Sequence, residues 1–147
     1  MALQVRQRPV GLARRWRLAV GVVAALNAFG ALGGALGLVS GWLSLGEVTD
    51  RLPFGSTVLA GLALALLVCL PQSVLTGLAF RGSRATAAAS LLVGGLLVCW
   101  ILLEVVVLHV LAGLQVTYLV VGLVQVGLGI LLGQHAPGGI RAGFTSS

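Results

Sequence analysis

The sequence predicts an all-α protein: a bundle of four transmembrane helices, antiparallel and up-down, with both termini in the cytoplasm. Three observations predict it. Four apolar stretches are each long enough to cross a bilayer, and eight of the nine arginines fall on one side of them. The composition is 59% hydrophobic with a mean hydropathy of +1.11, and only 8% of the residues are charged. A water-soluble domain of 147 residues could not hide that much Leu, Val, Ala and Gly from solvent. A bilayer accepts it, because a helix satisfies its own backbone polar groups there.

Residues 1–17 form a basic tail with Arg6, Arg8, Arg14, Arg15 and Arg17. The transmembrane domain follows over 18–133, its first span at about Leu18–Gly41. Trp16 and Trp42 sit at the two ends of that span, where indoles favour the membrane interfaces. Arg14-Arg15-Trp16-Arg17 ahead of an apolar run has the form of an export signal, but three more spans follow, so a retained helix on a basic anchor is expected. The connector from Trp42 to Gly55 holds Glu47, Asp50, Arg51, Pro53 and Phe54 and is expected on the outer surface, as a short interfacial helix ending near Pro53.

The second span covers about Thr57–Phe80. Pro71 interrupts it and removes the usual partner of the Leu67 carbonyl, which predicts a kink, with Gln72 or Ser73 placed to satisfy the freed group. Arg81 and Arg84 then precede the third span, about Ala85–Leu111, which is long enough to tilt. The fourth, about Val116–Gly133, is marginal against the roughly 20 residues that a ~30 Å hydrocarbon core requires. The connector before it is so short that the chain must turn straight back. Residues 134–147, rich in Gly and Ser with Pro137 and Arg141, are expected to form a mobile cytoplasmic tail.

Orientation comes from the arginines. Only Arg51 lies on the side opposite the other eight, so the positive-inside rule puts the N-terminus, the second connector and the C-terminus in the cytoplasm of a plasma-membrane, multi-pass protein. The net charge of +6 would suggest nucleic acid in a soluble chain. Here it flanks apolar spans, so anionic lipid headgroups near the N-terminal arginines are the expected partner and nucleic acid is not. Cys69 and Cys99 lie singly inside apolar runs, with no spacing for a disulfide framework or a zinc site, and no cofactor is implied.

Each span carries a face of small residues with one or two polar ones. In the first, Asn27, Gly30, Gly34, Gly37 and Gly41 recur every three or four residues and share a face. Gly61, Ala65, Gln72 and Thr76 do so in the second, and Ser90, Gly94, Leu97 and Glu104 roughly do so in the third. Tyr118, Gly122, Gln125, Gly129 and Gly133 do so in the fourth. Such stripes let helices approach closely in lipid, which makes Gly30, Gly34, Gly37, Gly122 and Gly129 the candidate packing residues. The polar members Asn27, Gln72, Gln125 and Glu104 are either seam residues or the lining of a small internal cavity.

Glu104 is the one acid within a span. A charged acid at the bilayer centre costs about 2.5–3.5 kcal/mol on insertion scales, so it should face the bundle, be protonated, or both. Trp100 lies one turn away, His109 is turned aside, and Gln115 and Tyr118 across the hairpin are plausible hydrogen-bond donors. No serine with a workable histidine and acid, no metal-ligand cluster and no glycine-rich phosphate loop appears, so no enzyme is expected.

Asn27 with the Gly30 to Gly37 run, Pro53-Phe54, Leu70-Pro71, and Trp100 with Glu104 together resemble a group of small four-helix actinobacterial membrane proteins with no assigned activity. An arginine-only basic set and Ile at three positions fit the GC-rich coding of such a source. The resemblance implies a membrane location. Small multidrug-resistance exporters carry their essential acid in the first helix, where this chain has Asn27. Four-helix quinone-linked thiol oxidoreductases need a Cys-x-x-Cys pair, which is absent, and DoxX-like proteins match in size and span count alone. The leading expectation is a non-enzymatic bundle that associates with itself or with another membrane protein. The alternative is a small transporter or proton- or ion-coupled carrier using Glu104.

Overall fold

The computed structural model describes residues 10–43, 56–108 and 113–135, and all regular structure there is helical. The expectations for the outer connector with Glu47, Asp50 and Arg51, for His109, and for the tail beyond 135 lie outside the described residues. The helices are α1 (Val10–Val39), α2 (Thr57–Leu64), α3 (Leu70–Phe80), α4 (Thr86–Leu108) and α5 (Gly113–His135). A π-helical turn, Ala65–Cys69, joins α2 to α3, so these two make one continuous span. Four helices are thus long and apolar enough to cross a membrane.

The helix bounds differ from the expected spans for simple reasons. With 30 residues, α1 is about 45 Å long, and it starts well before the apolar run because arginine is a good helix former. Its first turns reach beyond a ~30 Å core. The fourth helix is not marginal: α5 has 23 residues, taking in Gly113 at one end and Gln134 and His135 at the other.

Pro71 lies in the first turn of α3. The Leu70 N–H reaches back to the Ala65 carbonyl, and this wider turn makes room for a proline ring that would strike the previous turn of a regular helix. Neither expected side chain serves the Leu67 carbonyl. The Ser73 hydroxyl donates to the Cys69 carbonyl at 2.8 Å, and the Gln72 amide is engaged elsewhere.

The helices associate as two intimate pairs. The first is α1 with the α2–π–α3 span, the second α4 with α5, and the pairs meet through α1 against α5 and α3 against α4. Glycine makes each pair close. A Cβ on Gly61 would lie 2.9 Å from the Ala35 carbonyl oxygen, and one on Gly94 would lie 2.9 Å from that of Gly122. A Cβ on Gly129 would meet the Ala87 carbonyl oxygen at 3.1 Å. Backbone cannot yield as a side-chain tip can, so these glycines set the interhelical distance.

Turns lock the ends. After α3 the Gly82 N–H bonds the Ala79 carbonyl and the Ser83 N–H bonds that of Leu78, with Gly82 at φ 69°, a Schellman ending that requires glycine. The buried Thr86 hydroxyl, within reach of both the Leu78 and Ser83 carbonyls, ties the start of α4 to that turn. Ser56 caps α2 by accepting from the Leu59 N–H at 3.3 Å.

Burial is the inverse of a soluble protein's. Gln72, Gln125, Thr86 and Ser90 are fully buried, whereas Phe29 and Leu92 are each 74% exposed and Leu26 69%. Lipid tails are as apolar as leucine, so large aliphatic groups gain nothing by hiding while polar groups must.

Candidate functional site

Two of the stripes identified in sequence, those of the second and fourth spans, meet inside the bundle, where Gln72 of α3 and Gln125 of α5 form a reciprocal amide pair. Gln72 Nε2 donates to Gln125 Oε1 at 2.9 Å, and Gln125 Nε2 donates to Gln72 Oε1 at 2.7 Å. Both side chains are completely buried. The surrounding polar groups close on one another as well: the Ser90 hydroxyl donates to the Gln125 carbonyl at 2.9 Å and the Thr76 hydroxyl to the Gln72 carbonyl at 2.8 Å. These two glutamines fill the interior with a bonded cross-link between the helix pairs.

Asn27 is 6% exposed, and its Nδ2 has no hydrogen-bond partner among the described residues. It occupies the buried seam of α1, which runs Val20, Ala24, Asn27, Ala31, Ala35. The seam is therefore displaced from the expected glycine stripe. Gly30 is exposed, although a Cβ there would come 3.0 Å from the Tyr118 hydroxyl, and Gly34 is half-buried against Leu64. Gly37 is buried under Leu43, whose N–H folds back to the Gly37 carbonyl, and Gly41 is the left-handed residue of that turn. Ala31 and Ala35 adjoin Gly30 and Gly34 in sequence, so periodicity alone could not say which stripe faces inward.

In α5 the expected face is the buried one for Gly122, Gln125 and Gly129, after which Leu132 rather than Gly133 continues it. In α4 the buried residues are Thr86, Ser90, Gly94, Leu97 and Ile101. Sequence reasoning missed Thr86; a threonine two residues after Arg84, at the start of an apolar run, was the available signal.

Glu104 is half-buried toward the other end of α4. The side chains of Trp100 and Gln115 flank its carboxyl, and Tyr118 is near enough to sense its charge. The Trp100 indole N–H is buried and has no hydrogen-bond partner among the described residues. Trp100 and Tyr118 also pack on the cluster of Ala31, Val68 and Leu97, so this acid sits at the rim of the apolar core. Two shallow grooves mark the bundle's outer surface along α3, and none of Asn27, Gln72, Gln125 and Glu104 lines either. Among the described residues no three His, Cys, Asp or Glu side chains come together as a metal site would need.

No protein-family model, curated protein or solved structure matches the chain.

Proposed function

We propose that this is a non-enzymatic plasma-membrane protein, an antiparallel up-down bundle with both termini cytoplasmic, that works by packing against a second copy or another membrane protein. The observation that carries this reading is the Gln72–Gln125 pair. The two largest fully buried polar side chains bond to each other rather than line either surface groove, which is what a structural interior requires. The arginines support the threading, with Arg17 of α1 bonded to Gly82 between Arg81 and Arg84, so three of the eight gather at one end. The resemblance to small actinobacterial membrane proteins belongs to the same reading.

The test is purification from native membranes in mild detergent, followed by mass spectrometry of what stays bound. A stoichiometric second copy or one recurrent membrane protein is the expected result; a monomer alone would contradict it. Glu104, half-buried beside Trp100 and Gln115, favours one other reading, a proton- or ion-coupled carrier. That reading requires flux in liposomes that Glu104→Gln abolishes, and the accessory reading predicts no flux at all.

A further inference from the structure

The two surface grooves both border Ser73, and the second of them is a furrow along α3 that ends at Arg81. The first, about 190 Å³, lies between α1 and α3 over Ala25, Ala28 and Cys69. The furrow, about 370 Å³, runs from Ser73 past Val74 and Gly77 to Arg81. From Arg81 back to Ser73 the helix is about 12 Å long, most of the depth of one leaflet in a ~30 Å core. The floor is open: a Cβ on Gly77 would meet nothing within 4 Å. It is also apolar in effect, because the Ser73 hydroxyl is turned onto its own helix, to the carbonyl of Cys69.

Charge fixes what such a furrow would hold. Arg81 lines its end, the Arg17 guanidinium is anchored to the adjacent Gly82 carbonyl at 2.7 Å, and Arg84 is exposed on the same turn. Glu104, the only acid among the described residues, is at the far end of α4. We propose that the furrow seats an acyl chain of one anionic phospholipid, with the lipid phosphate held at Arg81 and the charges of Arg17 and Arg84 adding to the attraction. This rests on the membrane-spanning reading and goes beyond a general attraction between arginines and headgroups, because it assigns one lipid to one face of α3.

The test titrates the detergent-solubilised full chain with phosphatidylglycerol or phosphatidylcholine of identical acyl chains and counts retained lipid by native mass spectrometry. Wild type should retain phosphatidylglycerol about fivefold better, the worth of one cation near an anionic group. Arg81→Gln should remove most of that preference, leaving the smaller part due to Arg17 and Arg84. Gly77→Leu, which fills open space, should lower retention of both lipids severalfold while leaving the unfolding temperature unchanged. Arg14→Gln, outside the furrow, should retain lipid as wild type does. Equal retention of the two lipids by wild type, retention that survives both furrow variants, or an equal loss in Arg14→Gln and Arg81→Gln would overturn the proposal. Failure of the chain to enter lipid nanodiscs would instead overturn the membrane reading beneath it.

Discussion

Gln72 and Gln125 show how a single residue type is used when the solvent is lipid. An amide left unpaired in hydrocarbon costs several kcal/mol, yet a paired one contributes only about 0.6 kcal/mol on average, and up to about 1.7, because the separated helices also find partners. The asymmetry makes a prediction. Gln72→Leu should destabilise by about 1–2 kcal/mol, since it strands Gln125, and Gln72→Leu with Gln125→Leu should regain at least half of that. Denaturant unfolding of the two single variants and the double measures the coupling; additivity within about 0.3 kcal/mol would mean the pair contributes nothing.

Glu104 gives a second contrast. Glu104→Gln should remain within about 0.5 kcal/mol of wild type, because an amide can meet the same neighbours, whereas Glu104→Leu should lose about 1–2 kcal/mol by setting an alkyl group against Gln115 and Trp100. Thermal unfolding in detergent separates the two, and equal behaviour would mean that Glu104 makes no useful polar contact. The sequence marked both glutamines and Tyr118, because three- and four-residue spacing places polar groups on the small-residue face. It could not pair them. Spacing within one helix carries no information about the rotation of that helix against its neighbours.

Among the helices, the close contacts lie where a backbone carbonyl faces a glycine. Gly94 and Gly122 are mutual in this respect: each Cβ position is within 3.2 Å of the other's carbonyl oxygen. Gly94→Ala should therefore cost about 1–3 kcal/mol, the range for overfilling a tight contact. Gly34 faces only the Leu64 methyl at 3.1 Å, so Gly34→Ala should cost less than half as much, although the bulkier Gly34→Leu should still part α1 from α2. Gly33, with nothing within 4 Å, should accept Leu with little change. Unfolding midpoints of the four variants give the order, and a Gly33→Leu as damaging as Gly94→Ala would reverse the assigned faces of α1. The π turn was half readable: proline announced a disturbance, but whether a helix answers it with a kink or a wider turn depends on the partner it must keep facing.

The whole molecule is two close helix pairs that meet through two further contacts. The buried seam of α1 steps through Val20, Ala24, Asn27, Ala31 and Ala35, and that of α4 through Thr86, Ser90, Gly94, Leu97 and Ile101, each by three or four residues. The α2–α3 span and α5 each contribute one glutamine to the central pair, and the pair-to-pair contacts are α1 with α5 and α4 with α3. No internal repeat is readable from the spans, because in lipid many small or polar residues can fill the same place on a seam. The proposed threading of these pairs is four crossings with the arginine-rich turns inside. Labelling intact cells with a membrane-impermeant thiol reagent tests it directly, in a background with Cys69 and Cys99 replaced by Ala. Asp50→Cys should label in intact cells, and Ser83→Cys should label only after the membrane is opened. Labelling of Ser83→Cys in intact cells, with Asp50→Cys protected, would contradict the account.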